Sequence, residues 1–184
     1  MSKIIVVMGV SGCGKTTVGQ TLAHRLACPF YDGDDFHPPE NVAKMAQGIP
    51  LTDMDRDPWL VRLQSLLHEH LARGEGAVLA CSALKRRYRE RLREGNDGLQ
   101  FVYLQGDFAL IGERMQTRPH HYMKADMLQS QFDALEPPGP DEAITVNITM
   151  SPDAMVENIM ALGGFMGLTP GVRAGLAPAQ GRGI

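Results

Sequence analysis

The residues with the clearest chemical meaning are Gly9-Val10-Ser11-Gly12-Cys13-Gly14-Lys15-Thr16, which satisfy the G-x-x-x-x-G-K-[ST] spacing of a phosphate-binding loop. Glycine tolerates φ > 0, so such a loop turns tightly and brings backbone N–H groups against an anion. A helix that follows aims its positive end at the same charge. Lys15 is then placed for the β- and γ-phosphates, and the Thr16 hydroxyl for Mg²⁺. All eight residues are candidate nucleotide contacts. Asp32 and Asp34 lie two positions apart, which puts them on one face of an extended chain. Beside a phosphate site, one carboxylate can order Mg²⁺-bound water while the other accepts the proton of an attacking hydroxyl. A solvated acidic turn is the plainer alternative.

Three further groups carry polar chemistry. In Asp53-Met54-Asp55-Arg56-Asp57, Arg56 either pairs with its own aspartates or offers its planar fork to a substrate carboxylate. Trp59, just beyond, reads as a packing anchor. Ser82 and Lys85 follow an apolar run and suit substrate contacts, while Arg86, Arg87 and Arg89 read as a solvated helix face. Arg114 and Arg118 are four apart on one helical face. There they can stack on adenine and neutralise charge on a transferred phosphoryl, or stand as surface arginines. His37, His120 and His121 are possible substrate contacts with no metal-ligand spacing.

These signals narrow the class. No N-K-x-D tetrapeptide is present for guanine, and only the second strand candidate ends in carboxylates, so a switch GTPase and a motor ATPase are both disfavoured. A small-molecule kinase that moves the γ-phosphoryl of ATP to a hydroxyl fits best, with Mg²⁺ held by Thr16, Asp32, phosphates and water. The rival readings are a kinase for another acceptor, such as shikimate or a nucleotide, and a nucleotide-dependent binding module without transferase activity.

The elements that must position these residues alternate. Residues 4–8, 30–31, 77–81, 101–104 and 144–148 are short apolar runs that read as strands. Helical spacing recurs after Lys15, at 41–45, after Pro58, over 85–93, after Asp107 and from Ser151 to about Leu162. Such alternation predicts an α/β, three-layer P-loop kinase fold, with a five-stranded parallel sheet, helices on both faces and a helical lid. One domain over 1–162 is expected, with a substrate-binding insertion at about 35–71 and the lid at about 118–140. The Gly/Pro-rich tail over 163–184 is expected to be poorly ordered.

Composition agrees with this class. The chain has 184 residues, 43% hydrophobic and 21% charged, with a formal net charge of −3. It has no basic field for nucleic acid. No apolar run reaches the ~20 residues of a membrane span, and the first residues are too short for a signal peptide. Three cysteines without metal spacing argue for a reducing, cytoplasmic setting.

The chain resembles the gluconokinases, relatives of shikimate kinase. The resemblance is carried by Met8 with the loop, Asp32-Gly33-Asp34-Asp35-Phe36-His37-Pro38, Asn41-Val42-Ala43-Lys44-Met45, residues 48–60, Cys81-Ser82-Ala83-Leu84-Lys85, and His121-Tyr122-Met123 through Ser130-Gln131 to Leu135-Glu136-Pro137-Pro138. It implies ATP-dependent phosphorylation of D-gluconate by a homodimer. With that acceptor, Asp34 becomes the general base, Lys15 and Arg118 stabilise the phosphoryl, and Thr16 and Asp32 position Mg²⁺. Arg56 then holds the carboxylate, with His37, Ser82 and Lys85 as further substrate contacts. The chain departs from the family at Cys13, where serine is usual, and at Lys124, where proline often stands. A thiol beside Lys15 raises the expectation of oxidant sensitivity.

Overall fold

The computed structural model describes residues 3–116 and 125–165. Its order is β1 (Ile4–Met8), α1 (Lys15–Leu26), β2 (Phe30–Asp32), a 3-10 turn (Gly33–Phe36), α2 (Pro39–Ala46), α3 (Asp53–Ala72), β3 (Ala77–Ala80), α4 (Arg86–Arg93), β4 (Gln100–Gln105), α5 (Phe108–Gln116), α6 (Ala125–Ala134), β5 (Ala143–Asn147) and α7 (Pro152–Leu162). The five strands form one parallel sheet in the order β2-β3-β1-β4-β5. The expected α/β architecture is therefore the observed one.

β1 is central, with Val6 beside Leu79 on one side and Phe101 on the other. All five of its side chains are buried, which is why its sequence is apolar without alternation. Strand periodicity divides those side chains between two cores. Ile5 and Val7 pack with Val18 and Leu22 of α1 and Val156 and Ile159 of α7. Ile4, Val6 and Met8 pack with Trp59, Leu60, Leu63 and Leu67 of α3 and Tyr88 and Leu92 of α4. Helices thus cover both faces. The carboxyl ends of β1, β2 and β3 open beside one another, at the edge where such sheets bind ligands.

Several boundaries differ from expectation. Pro58 does not start a helix: α3 begins five residues earlier, and Pro58 lies in its second turn. The stronger signal is a capping box. Asp55 N–H donates to Thr52 Oγ1 at 3.2 Å, and Thr52 N–H donates to Asp55 Oδ2 at 2.9 Å. Of the segment expected as an insertion over 35–71, the part from Asp53 onward is the crossover helix covering the sheet. The interruption is the 3-10 turn, α2 and the linker to Thr52. Asp107 and Ser151 cap α5 and α7 as expected, accepting from Leu110 N and Ala154 N.

The chain is also held beyond 162. Phe165 is fully buried against the α1/α7 core. Lys3 Nζ sits 4.5 Å from the Phe165 ring centroid and donates to Gly163 O at 3.0 Å. Residues 166–184 of the expected tail lie outside the described residues.

Replacing Thr52 by Ala removes one half of the capping box. We expect a loss of about 1 kcal/mol, read as a lower thermal midpoint; an unchanged midpoint would show that Asp55 alone holds the start of α3.

Candidate active site

The phosphate loop joins the end of β1 to the start of α1. Gly9, Gly12 and Gly14 have φ of 142°, 82° and 101°, conformations that side chains resist. At Gly9 and Gly12, though not at Gly14, space forbids a side chain as well. A Cβ on Gly9 would lie 2.8 Å from Cys13 Sγ and 2.9 Å from Leu104 O. Gly14 stands at the N-cap of α1 and no side chain caps that end, so its first N–H groups face the loop's cavity without a side-chain acceptor. That cavity, of about 250 Å³, is lined by Ser11, Gly12, Lys15, Thr16, Asp32 and Asp34 among others. Lys15 Nζ donates to Val10 O at 3.0 Å, folded over the loop as an anion would require.

The structure brings the two expected metal residues together. Thr16 Oγ1 donates to Asp32 Oδ2 at 3.1 Å. Octahedral Mg²⁺ with bonds near 2.1 Å holds neighbouring oxygens about 3 Å apart, so the pair fits adjacent positions of that shell. Asp32 Oδ1 accepts from Asp34 N at 3.1 Å, which fixes the turn carrying Asp34. The Asp34 carboxyl opens into the cleft and is 82% exposed. Partial desolvation pushes its pKa up, with Lys15 opposing and Asp32 and Asp35 adding, but a side chain this exposed keeps most of its hydration, so the push is weak. Water at the cleft mouth screens this shift. A carboxylate that shares the cavity with Lys15 and is open to it suits proton acceptance from a hydroxyl.

The opposite wall is built on α3. Trp59 is the anchor expected: it is buried, and its Nε1 donates to Gly33 O at 2.6 Å. His37 stacks on it with centroids 4.4 Å apart. Asn41 Nδ2 donates to Asp55 O at 2.7 Å, which orients its amide. The same nitrogen lies 3.3 Å from His37 Nδ1, so that ring nitrogen accepts and the imidazole is neutral. Burial and the nearby Arg56 charge lower the His37 pKa to about 4. Arg56 lies over the Tyr88 ring at 5.8 Å and makes no ion pair among the described residues.

Lys85 follows β3 as expected and also pairs within the protein. Its Nζ is 2.8 Å from Asp53 Oδ1, and Asp53 also accepts from Arg87 and from the Tyr88 hydroxyl. These donors, Lys85 first, hold the Asp53 pKa down at about 2. Ser82 stands where β3 leaves the sheet, and its carbonyl accepts from Gly9 N at 3.3 Å.

Arg89 corrects the reading of α4 as a solvated basic face. It is 1% exposed. Its guanidinium donates to Glu142 Oε1 and Oε2 at 2.6 and 3.2 Å, and to the carbonyls of Ala83 and Leu84 at 3.1 Å each. It thereby holds the loop between Ser82 and Lys85, where Ala83 takes a φ of 42°. The spacing offered one hint: Tyr88 and Leu92, on either side of Arg89, are buried too.

On the nucleotide side, Arg114 Nη2 donates to Ile148 O at 2.5 Å. Arg114 borders a second cavity of about 250 Å³ with Cys13, Gly14, Thr17 and Met150. Arg118, His120 and His121 lie outside the described residues. Cys13 is buried, and burial pushes its thiol pKa up despite Lys15 and Arg114. Both burial and that shift work against the expected oxidant-sensitive thiolate. Among the described residues, no cluster of three metal-ligating side chains occurs and no helix is long and apolar enough to cross a membrane.

Sheet order, glycine loop and Lys15–Thr16 together define a P-loop phosphotransferase. The profile of the shikimate kinase family matches residues 11–162. The gluconokinase of Gluconobacter oxydans (strain 621H) is 48% identical over 159 residues, spanning 86% of this chain and 89% of the relative. The thermoresistant gluconokinase of Escherichia coli (strain K12) is 44% identical over 158 residues, with the same two coverages. A solved gluconokinase from Sinorhizobium meliloti 1021 is 45% identical, with a TM-score of 0.78 over 86% of this chain and 90% of that one. Shikimate kinase from Aquifex aeolicus, 20% identical with a TM-score of 0.55, shares the fold. The chain belongs to the gluconokinases, within the shikimate kinase family of P-loop enzymes.

The His37 environment has a pH consequence. An imidazole whose pKa drops from 6.5 unfolded to about 4 folded resists protonation in the native state. Stability is then full above pH 6.5 and declines as pH falls towards 4, because the unfolded chain takes the proton first. Titration of His37 by NMR should give a midpoint near 4; a midpoint above 6 would contradict the geometry.

Proposed function

We propose that the chain transfers the γ-phosphoryl group of ATP to the terminal hydroxyl of D-gluconate, giving 6-phospho-D-gluconate. The observation that carries this reading is the cleft itself. The phosphate loop and Asp34 line one cavity, His37 Nε2 lies 4.0 Å from the Asp34 carboxyl, and Arg56, without a carboxylate partner among the described residues, is near His37. The names of the relatives at 44–48% identity support the acceptor.

In this reading the loop N–H groups and Lys15 hold the triphosphate, and Arg114 and Arg118 attend the adenine and phosphate side. Thr16 and Asp32 hold Mg²⁺, which when bound neutralises phosphate charge. Arg56 grips the gluconate carboxylate with its planar fork. Neutral His37, Ser82 and Lys85 bond the hydroxyl chain; Lys85 keeps donors beyond the one given to Asp53. A polyol needs many such partners, and a site built for them rejects analogues that leave them unpaired. Asp34 accepts the proton as the terminal oxygen attacks phosphorus. A homodimer in the cytoplasm completes the proposal; sedimentation of the purified chain tests the first part.

A coupled assay with ATP should show turnover on gluconate and little on shikimate, other sugar acids or nucleoside monophosphates. ATP hydrolysis unaffected by every acceptor would instead mark a binding module. Asp34→Asn should lower kcat by roughly 10²–10⁴ and leave ATP binding nearly unchanged. A loss below tenfold would reassign the base.

A further inference from the structure

The phosphate loop makes one contact that the roles above leave unused. The Ser11 backbone N–H donates to Gln131 Oε1 at 2.6 Å. Gln131 lies on α6, far along the chain from the loop. Ser11 lines the same cavity as Lys15, Thr16, Asp32 and Asp34. The helix presenting Gln131 is anchored: Leu128 is buried in the core, and Phe132 packs edge-on against Phe108 at 5.5 Å.

Chemistry decides which way the carboxamide faces. A backbone N–H only donates, so the atom meeting it must be the amide oxygen. The acceptor arm of Gln131 is thereby committed. Its donor arm, Nε2 with two N–H groups, has no hydrogen-bond partner among the described residues. Oxygen and nitrogen of a carboxamide are about 2.3 Å apart, so Nε2 lies within roughly 5 Å of the Ser11 nitrogen. A neutral donor held by a packed helix beside developing negative charge is a means of stabilising a transition state without reorganisation.

We propose that Gln131 donates a hydrogen bond from Nε2 to the transferred phosphoryl group, with the Ser11 N–H aiming its carboxamide. This deepens the phosphotransfer reading and rests on it. The covalent change is unaltered: the bond from phosphorus to the β–γ bridging oxygen breaks, the bond to the acceptor oxygen forms, and the acceptor proton goes to Asp34.

Two variants separate a donor from a mere tether. Gln131→Glu keeps an oxygen for the Ser11 N–H and preserves size, but replaces the donor arm with a negatively charged acceptor. Gln131→Ala removes both arms. A tether predicts that Glu outperforms Ala. The proposal predicts the reverse order. For Gln131→Ala, kcat on gluconate should fall roughly tenfold to a hundredfold, with gluconate KM and thermal midpoint little changed. Gln131→Glu should fall further, and regain part of the loss as pH is lowered and its carboxyl recovers a donor. Gln131→Met replaces Ala if α6 is unsettled. Turnover of the Glu variant equal to or above that of Ala overturns the inference while leaving gluconate phosphorylation by the parent intact. Tighter ATP binding by Gln131→Ala also overturns it, because the glutamine would then be competing with phosphate. A parent chain inactive on gluconate removes the underlying reading instead.

Discussion

Everything at this site depends on a backbone bent into shapes that side chains refuse. To turn several N–H groups toward one anion, the chain between β1 and α1 passes through positive φ at Gly9, Gly12 and Gly14. The bend is also wedged in place. Leu104 O at the end of β4 and the Met115 side chain on α5 fill the space that side chains on Gly9 and Gly12 would need, so sheet and helix both bound the loop. Thr16 then meets Asp32 because β2 runs beside β3 and delivers its carboxylate to the mouth of that loop.

The acceptor wall shows how a crowded charge motif is sorted by helix geometry. Asp53 takes Lys85, Arg87 and the Tyr88 hydroxyl, while Asp55 takes Lys44 and the Thr52 cap. Neither carboxylate neutralises Arg56, which follows Asp55 directly in sequence. Burial first, and then the Arg56 charge, which has no ion-pair partner among the described residues, keep His37 uncharged. A cation thus keeps its charge within a stretch of chain that carries three aspartates, beside a neutral ring from the turn after β2.

Features set by local spacing were legible in the sequence. The glycines, Lys15 and Thr16 announce their loop because each answers a local backbone demand, and the buried strands announce themselves by unbroken apolar runs. Trp59 was legible for the same reason, but the Asp32–Asp34 pair only in part: its spacing suggested a shared face of extended chain, whereas Asp34 lies in the 3-10 turn that Asp32 caps. Arg89 was not, because a guanidinium saturated by Glu142 and two carbonyls reads in one dimension like any other arginine on a basic helix. Lys85 was half legible: its position after β3 is as expected, but its pairing with Asp53 spans residues distant in sequence. Pro58 misled because the helix signal that counts, Thr52 with Asp55, lies upstream of it. Gln131 stood inside a quoted motif without a role, since only the packing of α6 brings it to Ser11.

The chain contains a single tryptophan, and it sits face to face with the imidazole of His37 under the acceptor wall. Its indole N–H is tied to the turn that carries Asp34, through Gly33. The protein therefore has an intrinsic fluorophore coupled to both walls of its cleft. Emission from Trp59 reports on the stacking of His37 and the setting of the Gly33 turn, with no label introduced and no second indole to obscure the signal.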